Sequence, residues 1–404
     1  MLNGWMLNGS VFRFSSSVVK LSPVFAIPKT MRAVVYRGIN DLRLETVPVP
    51  RPGPHELLVK VAACGVCPTD IKKIQHGLVP PPRIFGHETA GTIVKLGARS
   101  KAHGFDVGDR VALHHHVPCL DCHFCRHRAF AQCETYKRTG ITAGFEPAGG
   151  GYAEYVRVMP FVLPGVVKIP AKNSFEEGAM LEPVNTVLKA VKRLNLLPGD
   201  RVLVAGQGPI GLMFTRLLQL RGIRVLATDL LESRLKLAKK FGAQWTRLAQ
   251  SEIRSTAPSA FPLDAAIIAV PSDAAVQQAL QLVRGGGQVL LFAHTKRTKA
   301  EGQKSVVNSQ QPKKTAVSAA VSTFSFPLSA FPLDLASICV DEKDLIGSYS
   351  SDFTLQREVA RLVFSRQMDV RPLITHRFAL DQTAAAIALA TRPTPDSLKI
   401  IVNQ

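Results

Sequence analysis

Acidic residues are scarce in this sequence: 30 aspartates and glutamates face 50 lysines and arginines over 404 residues, a formal net charge of +20. An excess of that size marks a polyanion partner only where the cations cluster, because affinity then comes from counterions released along a phosphate track. Here they are scattered, with one modest concentration in KRTKAEGQK at 296–304 followed by Lys313 and Lys314. A solvated basic surface that draws in anionic cofactors is therefore expected, and a nucleic-acid partner is not. Also missing is any apolar run near the roughly 18 residues that a membrane span needs. A soluble chain with no membrane partner is expected. Residues 1–30 contain no acid, three basic residues and five serines. They are Arg-poor and lack the apolar stretch of a secretory signal. This segment is expected to be an unstructured extension, or to reflect an upstream start codon, ahead of a targeting function. The expected location is the cytoplasm, where thiols stay reduced and clustered cysteines point to metal instead of disulfides.

The length exceeds one ordinary core and suits two domains. From Met31 to about residue 184, short strands broken by Gly and Pro, as in VPVPRPGPHELLVKVAAC, read as a mostly β domain. From Arg201 the texture changes to alternation: strand RVLVAG, helix PIGLMFTRLLQLRG, strand RVLATD, helix ESRLKLAKKFGA, strand DAAIIAV, helix SDAAVQQALQLVR, strand GGGQVLLFA and, later, DLIGSYS. That is the pattern of an α/β, doubly wound parallel sheet. The residues from 350 to 404 supply two helices and two strands expected to return to the first domain. The expected organisation is thus 31–184 with 350–404 as one domain and 185–349 as the other. Residues 296–333, rich in Ser, Ala, Lys and Gln, are expected to be a disordered insertion. SAFPLD occurs at 259 and again at 329, read as local duplication.

Three constellations carry chemistry. In CLDCHFCRHRAFAQC, four of the seven cysteines of the chain fall within fifteen residues. Cys119, Cys122, Cys125 and Cys133 can wrap around one Zn2+, and four thiolates leave no open position, so this zinc is structural. His123, His127 and the HHH run at 114–116 lie nearby and read as surface histidines. The second constellation is Cys67 in CGVCPTD with His87 and Glu88 in IFGHE, a thiolate and imidazole suited to a catalytic zinc. Cys64, three residues earlier, leaves a C-x-x-C redox motif open as an alternative. The third is GQGPIG, where Gly206, Gly208, Pro209, Ile210 and Gly211 join an apolar strand to a helix. Its glycines permit a tight turn and a close approach of pyrophosphate to the helix N-terminus. Asp229 ends the next strand 18 residues after the last glycine, where a carboxylate accepts from ribose hydroxyls and repels a 2'-phosphate. NAD is therefore expected over NADP, with Arg234 nearby as a counterweight.

With GHETAGTIVKLG at 86–97, the C-x2-C-x2-C-x7-C lobe and GQGPIG in this order, the sequence resembles the zinc-dependent medium-chain dehydrogenases from Met31 onward, apart from the insertion. The resemblance implies a GroES-like, mostly β catalytic domain beside a Rossmann domain, one catalytic and one structural zinc, and oligomers, either homodimers or homotetramers. It implies Cys67 and His87 as ligands of the catalytic zinc, with a third ligand further on. No cysteine lies between Cys133 and Cys339. MLEPVNTVLKA instead is similar to the sorbitol and threonine dehydrogenase branch, which makes Glu182 the third ligand, with Glu88 as an alternate or water-bridged one. Thr69 matches the hydroxyl that passes the alcohol proton onward. Asp70 would hold His87 in its zinc-binding tautomer. Lys72 stands where several relatives carry a relay histidine. Lys399 matches a basic position that reaches cofactor phosphate, and Ser348 and Tyr349 the lining of the substrate cleft. The implied activity is reversible NAD-linked oxidation of a secondary hydroxyl of a polyol, sugar-derived or amino alcohol to its ketone. The alternatives are an NADPH-linked aldehyde or ketone reductase, and an inactive zinc protein that binds nucleic acid.

Overall fold

The computed structural model describes residues 25–99, 104–114, 116–138, 140–145, 149–249, 263–293 and 333–404. Most of the expected N-terminal extension and of the 296–333 insertion lies outside the described residues, as does most of each SAFPLD copy.

Strands from both ends of the chain build the first unit. An eight-stranded sheet runs in the order Ile374–Ala379, Lys399–Asn403, Leu57–Gly65, Glu88–Leu96, Arg110–Leu113, Val167–Lys168, with Tyr155–Val158 also paired to Leu57–Gly65 and Ile141–Thr142 beside it. Thr30–Gly38 pairs with Asp41–Pro48 and with Arg83–Ile84 in a second, three-stranded sheet. Apolar residues of both sheets, among them Val35, Tyr36, Leu57, Ile93 and Val156, close one core between them.

The second unit is a six-stranded sheet in the order Trp245–Leu248, Arg224–Asp229, Arg201–Ala205, Leu263–Ile268, Val283–Leu291, Asp344–Gly347. Every pairing in it is parallel. The first strand of the unit in sequence, Arg201–Ala205, is therefore central, and the order reverses beside it; a crevice at the carboxyl ends of the strands there is where such sheets take ligands. The near-continuous apolar run VLVA of this strand is fully buried, as a parallel strand covered on both faces requires. Trp245–Leu248, a short strand at the sheet edge whose residues are all half-buried, has no counterpart in the sequence reading. The helix Asp273–Leu282 ends two residues before Arg284, because the chain already enters the next strand at Val283.

Two helices join the units. Leu181–Val191 buries nine of its eleven residues. It packs with Gln356–Phe364 into one apolar cluster that includes Ala63, Ala90 and Ala112 of the first unit and Val202, Val204 and Ile267 of the second. No helix among the described residues is long and apolar enough to cross a membrane.

Candidate metal and dinucleotide site

The helix Pro68–His76 begins at Cys67, whose extended backbone makes it the N-cap and whose Sγ accepts from the backbone N–H of Thr69 at 3.5 Å. Pro68 suits the first helical position, where no N–H is needed. One turn in, Asp70 is buried and meets His87 Nδ1 at 3.0 Å with both carboxylate oxygens. Burial opposes ionisation of Asp70, but the His87 ring holds it below the usual carboxylate range. Burial likewise disfavours the charged imidazole, yet the charges of Asp70 and Cys67 raise His87 well above its ordinary value. With Nδ1 bound to Asp70, the ring presents Nε2 as the ligand nitrogen.

Glu88 begins the strand after His87 and is buried. Cys67, His87 and Glu88 each offer a ligand atom, all within 4.8 Å of one another. Glu182, expected as the third ligand, is not in that group, although His87, Glu88 and Lys399 all act on its charge. Burial pushes its carboxyl up to about 7. The three converging donors are a thiol, an imidazole and a carboxylate in a buried pocket, the N/S/O set of a three-protein-ligand zinc with one position left for substrate. The residues present fit that ion.

Lys399 corrects the expectation of a phosphate contact. It opens the strand Lys399–Asn403, whose antiparallel register against Leu57–Gly65 turns this side chain inward. Its ammonium donates to Glu88 Oε1 at 2.6 Å and to the carbonyl of Val66 at 3.0 Å. Gly65 makes room for the pair, since a Cβ there would stand 1.8 Å from Glu88 Oε2. The redox alternative for Cys64 also falls: its thiol lies fully buried against Thr89 Oγ1, and burial pushes it up to about 12. Lys72 is held below its ordinary value by partial burial.

The histidines before the lobe are not all surface residues. His114 is fully buried, with Nε2 3.4 Å from Ser351 Oγ. His116 stacks on Tyr136 at 4.4 Å between ring centres and stands 6.1 Å from the ring of His87. The Tyr136 hydroxyl meets Ser350 Oγ. Sequence reasoning passed over Tyr136, and only its position just beyond the cysteine lobe could have drawn attention to it. His115 lies outside the described residues, whereas His123 and His127 are exposed as expected. Ser348 and Tyr349 line a cavity of about 1330 Å³.

All four cysteines of the lobe are free thiols within 4.8 Å of one another. Their Sγ separations of 3.9, 3.5 and 3.7 Å exceed any disulfide. They match the ~3.8 Å edge of a tetrahedron with Zn–S bonds of about 2.3 Å. Backbone N–H groups of Asp121 and Cys122 lower Cys119 to about 6, which favours its ligand form. The lobe fits a closed, structural zinc.

At the glycine turn, Gly206 has φ +90°, and a Cβ on Gly211 would stand 1.8 Å from the Gly206 carbonyl. Gly208 is the N-cap and Pro209 the first residue of the helix Pro209–Leu220, while Ile210 packs on the shared core. A Cβ on Gly208 would meet nothing closer than Arg234 Nη1 at 3.8 Å, which leaves space for a ligand at the helix N-terminus. Asp229 accepts from the N–H of Gln207 at 2.7 Å and of Leu231 at 3.0 Å, fixing its carboxylate beside that turn. Arg234 is not the free counterweight the sequence suggested. It is buried and donates to the carbonyls of Pro395, at 3.3 Å, and Ser397.

Comparison with known proteins agrees with these two centres. The sequence profile of the alcohol dehydrogenase GroES-like domain matches residues 53–171, and that of the zinc-binding dehydrogenase domain matches residues 209–324. The chain is 28% identical to sorbitol dehydrogenase of Bacillus subtilis over 387 residues, covering 93% of this chain and 98% of the relative. It is 29% identical to sorbitol dehydrogenase of Gallus gallus, covering 92% and 96%. Among solved structures, 2R,3R-butanediol dehydrogenase from Bacillus subtilis shares the fold with a TM-score of 0.73 at 22% identity, over 93% of this chain and 99% of that one. A short chain alcohol dehydrogenase from E. coli CFT073, complexed with NADH, does so with a TM-score of 0.77 at 23% identity, over 93% and 100%. Full-length similarity, two consecutive domain matches and the paired cysteine centres lead to one conclusion: the chain belongs to the zinc-dependent medium-chain dehydrogenase family, on its sorbitol dehydrogenase-like branch.

Proposed function

We propose that this protein is an NAD-dependent zinc dehydrogenase that oxidises a secondary hydroxyl of a polyol or related alcohol to the ketone, reversibly. The observation that carries the reading is the buried convergence of Cys67, His87 and Glu88, with Asp70 behind the histidine. Zinc held there supplies a Lewis acid that lowers the pKa of an alcohol oxygen. Asp70 fixes the ring orientation of His87, and Lys399 balances the Glu88 carboxylate so that the donor set can stay buried. Thr69, half-buried one residue into the helix that Cys67 caps, supplies the hydroxyl that receives the substrate proton. Glu182, its carboxyl raised by burial, is the adjoining acid beside that donor set. The glycine turn receives the dinucleotide, and the Asp229 carboxylate beside it supports NAD over NADP, because a 2'-phosphate would meet like charge.

Self-association through the outer strand of the parallel sheet belongs to the same reading. Asp344–Gly347 pairs on one side only among the described residues, and Leu345, Val340 and Leu335 are 39%, 78% and 70% exposed nearby. Seven free cysteines support a reducing compartment such as the cytoplasm.

The test is zinc content, molar mass in solution and dehydrogenation of a panel of polyols with NAD and NADP, for the native protein and Cys67→Ser. Two zincs per chain, falling to about one with loss of turnover in the variant, are expected from one closed and one open site. Turnover that survives Cys67→Ser or metal removal would overturn the reading.

A further inference from the structure

His123 and His127 bracket the helical turn His123–Arg126 of the cysteine lobe and take no part in the chemistry described so far. The N–H of His127 closes on the carbonyl of His123 at 3.3 Å, one α turn that sets residues four apart on a single face. Cys125, inside the same turn, is buried among the other three thiols, whereas both histidines are exposed. A zinc on the thiols would therefore hold the turn from within and leave the imidazoles outside, already paired.

The two rings stand 4.6 Å apart, centre to centre, with their planes tilted by 59°. That tilt excludes parallel stacking, and neither ring is hydrogen-bonded to another described residue. Arg126, which lies between them in sequence, is already engaged by Asp121: its Nε donates to the carbonyl at 2.9 Å and its Nη2 to the carboxylate at 3.2 Å. With metal–nitrogen bonds of about 2.1 Å and ring nitrogens about 1.1 Å from the ring centre, two imidazoles at a right angle on one ion lie about 4.5 Å apart, and about 5.2 Å apart at the tetrahedral angle. The observed spacing is that of the right-angle pair. Square-planar and tetragonal coordination by nitrogen and oxygen belongs to Ni2+ and Cu2+, which also bind such donors more tightly than the earlier divalent ions of their row. Solvent can fill the remaining positions, because the pair is exposed.

We propose that His123 and His127 form a third metal site, a solvent-open chelate for one divalent nickel or copper ion, separate from both zinc centres. The first imidazole to bind places the second beside the ion, so the pair gains an affinity that neither ring has alone.

The test is equilibrium dialysis of the untagged, zinc-loaded protein against Ni2+, with nickel and zinc both counted per chain. The native protein is expected to take up one nickel and to keep both zincs. Affinity should fall at least about tenfold in His123→Gln, equally in His127→Gln, and no further in the double variant, because a single imidazole forms no chelate. His76→Gln, at an exposed histidine elsewhere, should leave nickel binding unchanged. All three positions are on the surface, so the variants are expected to keep the native zinc content. Nickel uptake matched by zinc loss would place the ion on the cysteines and overturn the proposal. So would uptake that either single variant keeps in full, or that His76→Gln lowers as much. None of these outcomes touches the dehydrogenase reading, which rests on other residues.

Discussion

His114 is fully buried, and burial pushes its imidazole down to about 4 from an ordinary 6.5. Between those values the unfolded chain takes up a proton that the folded chain refuses. Stability is therefore complete above about pH 6.5 and is lost as pH falls towards 4, by about 3 kcal/mol in all. Urea midpoints measured across that window should fall less steeply for His114→Gln than for the native protein, and equal slopes would remove His114 from the account. The same residue shows what a sequence hides. Three consecutive histidines read as surface because their polarity says so, and nothing local announces that Ser351, from far along the chain, closes over one of them. Cys67 and His87 were legible through the family phrases that hold them, CGVCPTD and GHETAGTIVKLG, since a cysteine and a histidine twenty residues apart mean little alone. Lys399 was not, since its role depends on which way one strand faces in its register with another.

The cysteine lobe is an element whose chemistry and fold coincide. It holds a four-residue helix, His123–Arg126, a short 3-10 turn and almost no apolar core beyond Cys125, Ala131, Cys133 and Tyr136. Little but the metal can hold such a segment together. In the free thiol state burial pushes Cys125 up to about 12, so zinc binding must expel its proton. Cys125→Ser is expected to lose one zinc of two, keep the other, and open residues 117–138 to limited proteolysis; a variant with both zincs and native resistance would contradict the structural role. Spacing made this element readable, as the x2, x2, x7 pattern suits four ligands of one metal ion. The edge strand Trp245–Leu248 was unreadable for the opposite reason. It is short and half-buried throughout, so it carries neither the alternation of a two-faced strand nor the apolar run of a central one.

Across the whole molecule, the two sheets meet in one apolar cluster, and Arg234 adds a polar tie from the nucleotide-binding unit to the segment before the last strand. Units joined that way share their unfolding. At fixed chain concentration, calorimetry of the zinc-loaded protein should show one transition, with calorimetric and van't Hoff enthalpies in agreement; two resolved transitions would mean that the shared core is energetically minor. The alternation of strands and helices made the parallel sheet legible from residue 201 onward, because period and length are local properties. The merging of the cores was not, since it depends on how helices at 181–191 and 356–364 pack together in space. The pairing of Lys399 with Glu88 spans 311 residues. During synthesis, the carboxylate beside the metal donors must wait for nearly the whole remaining chain before its counter-ion exists. A product that extends past Cys133 but stops short of residue 399 carries every zinc donor and still lacks the charge that lets Glu88 stay buried among them.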